Sequence, residues 1–411
     1  MSEYRIALRN VDTYNPDSYH EYVKRGGFKG FRKALSTHPV SIIDLLVDAK
    51  LRGRGGAGFS TGLKNRFTNE AVCQRCVQKY IICNADEGEP GTFKDRIIME
   101  KDPFVLLEGM LIAAYAIGAT EGYIYIRAEY YESVKKIENA VAQCYQEGLL
   151  GKILNDSGFY LNLQIKLGAG SYLCGEELTL LESLEGKRGY PRIKPPFPAQ
   201  KGLYGSPTLI NNVETFAHLP YIVNNGSSAY LKIGNETSPG TKIFTLSGDI
   251  NTPGYVEVEM GTTLRTLIDE YGGGMSGGKT FQSALLGGAA GTFVDASVLD
   301  TPMGFDTLKE KGAVLGSGAI FVLSNHRKLY SVLHSVLTFF QHESCGKCVP
   351  CRVGTARLVQ LLEQMDDTQH QEYLDQMIAE AAYMAKNSLC PLGQSPILPL
   401  QSLKTFFYDH F

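Results

Sequence analysis

The residues with the clearest chemistry are four cysteines near the end of the chain. Cys345, Cys348 and Cys351 have the spacing C-x2-C-x2-C in ESCGKCVPCRVG, and Cys390 follows in LCPLG after a helical segment. Thiolates separated by two intervening residues can bind one face of an iron–sulfur cubane, and a distant fourth cysteine closes the site. Four thiolates can also bind zinc, although structural zinc sites usually pair their cysteines two and two. The three-plus-one spacing therefore favours an iron–sulfur cluster over zinc and over unliganded buried thiols.

A second pair, Cys73 and Cys76, also has C-x2-C spacing, in the polar segment AVCQRCVQK. A lone pair is a weak signal, so we predict a surface loop with two free thiols rather than a redox or metal site. The chain has 9 cysteines in all. Its N-terminus, MSEYRIALRN, has charges where a signal peptide needs an apolar core, so a disulfide framework is not expected.

A glycine-rich loop, LRGRGGAGFSTGLK, spans residues 51–64. It matches G-x-G-x-x-G by letters. However, a helix is predicted before it and no acidic residue stands about 20 positions further on, so the dinucleotide fingerprint is not met. Successive glycines still let backbone N–H groups line a surface for an anion or a flat ring. Lys64 could neutralise a phosphate, while Phe59 and Phe67 could stack on a ring. A simple tight turn is the alternative.

Acidic and amide side chains follow the predicted strand over residues 80–83, in the segment ICNADEGEPGTFKDR. Open α/β sheets bind their ligands at the carboxyl ends of strands. Asn84, Asp86, Glu87 and Glu89 could therefore bind ribityl or ribose hydroxyls, or else form an ordinary solvated loop.

A similar junction occurs in GAGSYLCGEE, where Tyr172, Glu176 and Glu177 stand between a predicted strand and a predicted helix. The N-terminus of a helix offers free N–H groups and a positive dipole end. Two acidic residues there could also be plain helix caps.

Elements that would position these groups follow from the hydrophobic pattern. Strand-like and helix-like segments alternate through residues 1–240, which predicts an α/β domain with parallel strands behind a surface-wrapping arm at residues 1–40. Residues 241–326 contain a compact strand–strand–helix–strand pattern, typical of a small α+β domain. Residues 327–411 have a helical pattern, which predicts a small bundle carrying the four cysteines.

The composition excludes some functions. The chain has 411 residues, 40 basic against 43 acidic, and a formal net charge of −3, which argues against a nucleic-acid partner. No apolar run approaches the ~18 residues of a membrane span. We therefore expect a cytoplasmic protein that does not insert into membranes directly.

Six motifs in the same order resemble one family, over about residues 25–411: GRGGAGFSTGLK, CNADEGEPGTFKDR, GAGSYLCGEE, KPPFPA, INNVET and ESCGKCVPCR with LCPL. The family is the FMN/[4Fe-4S] flavoprotein subunit that takes electrons from NADH. It includes the 51 kDa-type subunit of respiratory complex I and the diaphorase subunits of NAD-linked hydrogenases and formate dehydrogenases.

The resemblance implies a Rossmann-like FMN-binding domain, a ubiquitin-like (SLBB-type) domain and a C-terminal [4Fe-4S] helical domain. It implies FMN held by glycine-rich, amide and charged positions: Gly53, Arg54, Gly55, Gly56, Lys64, Asn84, Asp86, Gly175, Asn211 and Asn212. It implies NADH contacts from aromatic and acidic positions: Phe59, Phe67, Glu87, Glu89, Tyr172, Glu176, Glu177 and Phe197.

The function implied is reversible NADH oxidation, with hydride electrons passing through FMN to the cluster. GGAAGTFVDAS and FFQHESCGKCVPCRVGT look closer to hydrogenase and formate dehydrogenase diaphorases than to complex I. Implied partners are a small thioredoxin-like [2Fe-2S] subunit and a larger iron–sulfur catalytic subunit. Electron bifurcation, a place in complex I and a non-catalytic electron-transfer module remain open alternatives. Acidic residues near the adenosine ribose would disfavour a 2′-phosphate, which predicts NADH over NADPH.

Overall fold

Four hydrophobic strands form a parallel sheet in the order β3-β2-β1-β4. The computed structural model describes residues 3–72, 78–154, 157–365 and 369–408. The strands of this first sheet are β1 Lys79–Ala85, β2 Ala119–Arg127, β3 Asn162–Gly168 and β4 Thr208–Asn212. The near-continuous apolar run of β1 suits a parallel strand that is covered on both faces. All four carboxyl ends meet at one edge of the sheet.

Helices surround this first sheet. They are α1 Tyr19–Lys24, α2 Lys29–Leu35, α3 Pro39–Asp48, α4 Thr61–Glu70, α5 Lys94–Lys101, α6 Pro103–Ile117, α7 Tyr131–Gln146, α8 Glu177–Leu184, α9 Pro198–Lys201, α10 Val213–Asn225 and α11 Ser227–Tyr230. Helix α6 is apolar on nearly every side and is buried accordingly. It packs so closely on α10 that a Cβ at Gly109 would lie 2.0 Å from the carbonyl oxygen of Phe216.

A second, mixed sheet has the order β6-β5-β9-β7-β8. Its strands are β5 Thr241–Gly248, β6 Gly254–Glu259, β7 Phe281–Leu286, β8 Thr292–Val294 and β9 Ala319–Ser324, with α12 Leu264–Thr266 and α13 Phe305–Glu310 beside them. We call this unit, residues 241–324, the second-sheet domain. It has its own core cluster, which includes Phe244, Leu267 and Val322.

The C-terminal helices are α14 Leu329–Glu343, α15 Val349–Gln364, α16 His370–Asn387, α17 Pro391–Gln394 and α18 Ile397–Phe407. Their buried faces share one core, to which Leu333, Leu358 and Met384 belong. The end of this bundle is tied to β8, because Phe293 donates its backbone N–H to Ser402 Oγ at 2.8 Å.

The N-terminal arm differs from the surface-wrapping prediction, because residues 3–40 contribute to the main core. Phe28 and Phe31 are fully buried. The buried Glu257 carboxylate accepts the backbone N–H groups of Ile6, Ala7 and Leu8 at 2.7–2.9 Å. These bonds join the arm to the second-sheet domain. The polar composition of the arm suggested an exposed segment, but its polar groups form hydrogen bonds inside the protein.

Candidate functional site

The first part of the site lies at the carboxyl edge of the parallel sheet. Asn84 is the next-to-last residue of β1, Asp86 immediately follows the strand, and Asn211 lies near the end of β4. Asn84 Nδ2 donates to the carbonyl oxygen of Gly175 at 2.8 Å, so the loop after β1 and the turn before α8 are joined. Gly175 itself lies against Asp86, whose carbonyl oxygen would be 3.3 Å from an added Cβ. The predicted amide and acidic positions therefore meet where the topology predicts a ligand.

The glycine-rich loop connects α3 to α4 and closes one side of this edge. Gly53 donates its N–H to the Phe59 carbonyl at 2.8 Å, and Ser60 caps α4. A Cβ at Gly55 would lie 3.0 Å from Asn212 Cβ, so the loop approaches the end of β4 closely. Gly58 has φ +65° and packs on the Phe305 ring. The glycines of this loop therefore let its backbone approach its neighbours closely.

Two buried polar atoms at this edge have no hydrogen-bond partner within the protein. They are Asp86 Oδ2 and Asn211 Nδ2. Buried polar groups are almost always paired, so such atoms point to a bound group. Burial raises the pKa of Asp86 to about 7, with Arg127 opposing the shift. A carboxylate oxygen and an amide nitrogen left unpaired at this edge suit the hydroxyls and ring edge of a flavin.

A charged group borders the site at the start of α8. Glu176 caps this helix, accepting from the backbone N–H groups of Leu178 and Thr179. Glu177 lies 3.1 Å from Lys64 Nζ and 2.9 Å from Lys194 Nζ. Burial alone would raise the pKa of Glu177, but the two lysines lower it to about 2. Lys64, the predicted phosphate contact, is therefore held beside the site by a carboxylate.

Lys194 is a site residue that the sequence reasoning missed. Its Nζ also lies 2.8 Å from Glu176 Oε1, so it bridges both acidic residues. Lys194 could have been identified from the sequence, because it is the first residue of KPPFPA, the motif that contains Phe197.

Three aromatic rings stand half-exposed around the site, unlike the buried aromatics of the core. Phe59, Phe67 and Phe197 are 53%, 50% and 52% exposed. Phe67 lies on α4, and Phe197 immediately precedes α9, which packs against α4. Exposed rings beside a polar site are suited to stacking on a flat ligand.

The acidic loop after β1 has two carboxylates with different partners. Glu87 is buried and accepts the backbone N–H groups of Asp95 and Arg96 at 2.9 and 3.1 Å, so it anchors the start of α5. Burial and the nearby Asp95 charge raise the pKa of Glu87. Glu89 accepts from the Tyr172 hydroxyl at 2.5 Å. The predicted nucleotide contacts Glu89 and Tyr172 are thus in direct contact.

Two predicted cofactor residues, Arg54 and Asn212, have side chains that form hydrogen bonds within the protein. The Arg54 side chain is fully buried, and its Nη2 donates to the Pro239 carbonyl at 2.8 Å and to the Tyr230 hydroxyl at 3.2 Å, while its Nε and Nη1 have no partner within the protein. Its backbone N–H donates to Thr215 Oγ1. The role of Arg54 in FMN binding stays a prediction, because letters in a glycine-rich motif do not show which way a side chain points.

The Asn212 carboxamide, the second case, is held within a buried ion network. Its Oδ1 accepts from Lys94 Nζ at 3.1 Å and from the Glu214 N–H at 3.0 Å, and its Nδ2 donates to Asp95 at 2.6 Å. Glu214 in turn pairs with the fully buried Lys242 of β5 at 2.6 Å. Asn212 therefore caps α10 and connects the edge of the first sheet to the second-sheet domain.

The four predicted cluster cysteines share one core region at the ends of short loops. Cys345 lies between α14 and α15, Cys348 immediately precedes α15, Cys351 is in its first turn, and Cys390 immediately precedes α17. All four thiols are free. A Cβ at Gly393 would lie 2.9 Å from Cys351 Cβ, which shows how closely the Cys390 loop approaches. The N-terminus of α15 directs its positive end toward these thiols.

Burial raises the pKa of Cys351 to about 11 and that of Cys390 to about 12. These thiols would be neutral at physiological pH unless a metal binds them. Among the described residues, no three Cys, His, Asp or Glu side chains are arranged to hold a single metal ion. Four thiolates around one face of a helical bundle suit a larger, cubane cluster. The Cys73 and Cys76 prediction lies outside the described residues.

The comparisons with known proteins agree with a flavin site at the sheet edge and an iron–sulfur site at the four cysteines. The family model described as the Nuo51 FMN-binding domain matches residues 46–221, and the NADH-ubiquinone oxidoreductase-F iron-sulfur binding region matches residues 331–411. The SLBB domain model matches residues 243–289. The chain belongs to the family of NADH-binding flavoprotein subunits that carry FMN and a [4Fe-4S] cluster. The family resemblance and the FMN, [4Fe-4S] and NADH predictions are thereby confirmed.

Particular relatives come from two kinds of complex. The chain is 43% identical to an NADH-quinone oxidoreductase subunit of Rhizobium meliloti (strain 1021), and the match covers 99% of this chain and 96% of the relative. It is 41% identical to the NADP-reducing hydrogenase subunit HndC of Solidesulfovibrio fructosivorans, and that match covers 99% of this chain and 82% of the relative.

Among solved structures, the chain resembles an NAD⁺-reducing [NiFe]-hydrogenase in the H₂-reduced state, with a TM-score of 0.84 and 34% identity. The match covers 99% of this chain and 66% of that chain, so this chain spans about two thirds of the hydrogenase chain. The α/β fold class with its helical C-terminal region is confirmed. In the described part of the chain, no helix is long and apolar enough to cross a membrane.

Proposed function

We propose that this chain is the NADH-oxidising, reversibly NAD-reducing subunit of a multisubunit hydrogenase or formate dehydrogenase complex. The observation that carries the proposal is the carboxyl edge of the parallel sheet, where the buried atoms Asp86 Oδ2 and Asn211 Nδ2 have no hydrogen-bond partner in the protein and the glycine-rich loop approaches the end of β4. When bound, FMN supplies hydride acceptance and single-electron release, and the cluster supplies one-electron transfer.

The side chains of this protein would bind and orient the reactants. Asp86 and Asn211 would pair with polar groups of the flavin, and Lys64 would offset its phosphate charge. Phe59, Phe67 and Phe197 would cover the nucleotide with apolar surface. No side chain is needed as a nucleophile.

Nucleotide choice would follow from the acidic residues. Because Glu176 and Glu177 are paired with lysines, their repulsion toward a 2′-phosphate is partly offset. Burial raises the pKa of Glu87 and Glu89 and so favours their neutral form, whereas the pKa of Glu177 is lowered. Glu177 would therefore contribute most of the charge repulsion that favours NADH over NADPH. Rates measured with each nucleotide test this, and equal kcat/KM for the two would contradict it.

A second candidate is the NADH-binding subunit of respiratory complex I. It is favoured by the 43% identity to the NADH-quinone oxidoreductase subunit of Rhizobium meliloti, whose length this chain covers almost fully. In either complex we expect a small thioredoxin-like [2Fe-2S] subunit as neighbour. In the first we also expect a larger iron–sulfur catalytic subunit. Anaerobic affinity purification with identification of the co-eluting chains distinguishes the two complexes.

A spectroscopic experiment tests the chemistry itself. The purified protein should show flavin absorption that bleaches on adding NADH, together with protein-bound iron and sulfide. Cys348→Ser should lose iron while keeping flavin. Cys144→Ser, which alters a buried thiol of α7, is the matched control and should keep both. A wild-type protein with flavin that NADH does not bleach would instead indicate a non-catalytic electron-transfer module.

A further inference from the structure

A loop of the second-sheet domain reaches the acidic loop of the first domain. The backbone N–H of Ala290 donates to Glu89 Oε1 at 3.1 Å. At Gly288 the chain has φ +88°, and an added Cβ would lie 2.4 Å from Glu89 Cγ. Only glycine leaves room for the Glu89 side chain at this point.

The loop over residues 287–291 is held in place by its own domain. Gly287 donates its N–H to the Ala319 carbonyl at 2.8 Å, and Gly291 donates to the Gly288 carbonyl at 3.0 Å. A Cβ at Gly316 would lie 2.6 Å from Gly287 Cα, so the two backbones are in direct contact. The loop is therefore a fixed surface against which Glu89 packs.

Two further bonds join the same domain to the rest of the acidic loop. Thr245 Oγ1 of β5 donates to the Gly91 carbonyl at 2.7 Å. The Thr92 and Ser317 hydroxyls are 2.6 Å apart and buried. Residues 89–92 are thus bound at three points by the second-sheet domain.

The other carboxylate oxygen of Glu89 is bound by the first domain, through the Tyr172 hydroxyl. Glu89 is partly buried, and this burial raises its pKa. Both oxygens are therefore fixed, one by each domain, and the Glu89 side chain has a single defined position.

We propose that the loop over residues 287–291 positions Glu89 for nucleotide binding, so that the second-sheet domain sets the affinity of the site for NAD(H). This inference rests on the proposed function, which makes Glu89 a nucleotide contact. It assigns a role in recognition to a domain that contributes none of the predicted cofactor or nucleotide contacts. Glu89 would be a binding residue, and Gly288 and Ala290 would be positioning residues.

The test compares Gly288→Ala with Gly278→Ala in the flavin-loaded protein. Gly278 lies in the same domain with φ +69° and has nothing within 4 Å of an added Cβ, so it reproduces the backbone strain without the contact. NAD⁺ is the probe, and its Kd is followed by the flavin fluorescence. We expect Gly288→Ala to raise the Kd about tenfold or more, as loss of a hydrogen bond to a charged group does, with flavin content unchanged. Gly278→Ala should match the wild type.

A double-mutant cycle separates positioning from general disturbance. In Glu89→Ala the contacting Cγ is absent, so adding Gly288→Ala should change the Kd for NAD⁺ by less than about twofold. An unchanged Kd in Gly288→Ala, or the same tenfold loss in the Glu89→Ala background, would overturn the inference. Wild-type protein that holds flavin but does not bind NAD⁺ would instead contradict the proposed function.

If Gly288→Ala does not fold, the combined Thr245→Val and Ser317→Ala variant replaces it. This variant removes two hydroxyl bonds to the acidic loop without adding bulk. It should also weaken NAD⁺ binding while retaining flavin. An unchanged Kd in this variant would count against the inference in the same way.

Discussion

The backbone N–H of Tyr172 donates to Glu343 Oε2 at 3.1 Å. Glu343 is the last residue of α14 and stands two positions before Cys345. The Tyr172 ring also packs edge-on against Phe339 of α14, with ring centroids 5.0 Å apart. Since Tyr172 also binds Glu89, one residue joins the acidic loop to the helix that leads into the cluster cysteines.

Glu343 places a negative charge close to the cluster loop, and cluster potentials respond to nearby charge and hydrogen bonds. Glu343→Gln keeps an acceptor for Tyr172 and removes the charge. We expect it to raise the cluster reduction potential by a few tens of millivolts. Redox titration followed by EPR measures the shift. Glu236→Gln, which removes a charge from the exposed segment before β5, is the control and should leave the potential unchanged. Equal potentials for all three proteins would contradict the prediction.

In the glycine-rich loop, a substitution at Gly53 should leave the fold intact but weaken flavin binding. A Cβ at Gly53 would come no closer than 3.5 Å to the Phe59 carbonyl, an ordinary contact, and its φ lies outside the left-handed region. Gly53→Ala should therefore fold normally, yet lower FMN affinity at least tenfold, because a methyl group would occupy space that the ligand approaches.

The measurement is FMN content after purification, followed by titration of the apoprotein with FMN. Gly254→Ala is the matched control, since nothing lies within 4 Å of an added Cβ at the start of β6. Wild-type FMN affinity in Gly53→Ala, with an unchanged melting temperature, would mean that the ligand does not approach the loop at Gly53.

Much of the architecture could be predicted from local pattern. The pattern predicts helix α6 at residues 103–117, and the helix has those bounds, because proline starts it and Gly118, with φ +71°, ends it. The apolar pattern also predicts strands at 123–126 and 163–167, in addition to 80–83, and the strands β1, β2 and β3 are each longer than these runs. Their outer residues are mostly polar or small, yet they continue the ladder of backbone hydrogen bonds.

Other elements have no clear local signal. Strand β4, TLINN, is short and polar at one end, and it is stabilised by pairing with β1 rather than by its own propensity. The N-terminal arm depends on distant acceptors such as Glu257, which no local pattern shows. In the site, motif letters located the glycines and cysteines. The directions of the Arg54 and Asn212 side chains depend on partners far along the chain.

The ion pairs of Glu177 give a stability effect with a defined dependence on pH. Two lysines lower the pKa of the Glu177 carboxyl to about 2, below its ordinary value of 4.5. A carboxylate with a lowered pKa in the folded state contributes stability above its unfolded pKa, and that contribution is lost as the pH falls through the folded pKa. Glu177 should therefore stabilise the protein fully at pH 7 and progressively less between about 4.5 and about 2.

Glu177→Gln should lower the free energy of unfolding by about 2 kcal/mol at pH 7, less than the full pKa shift implies because the side chain is 23% exposed. Urea unfolding at pH 7 and at pH 3.5 measures the difference, which should be smaller at the lower pH. Asp300→Asn is the control, because Asp300 pairs with Arg265 at 2.6 Å on the open surface, where solvent screens the interaction. It should have little effect at either pH. A Glu177→Gln effect of the same size at both pH values would show that the loss comes from packing rather than from charge.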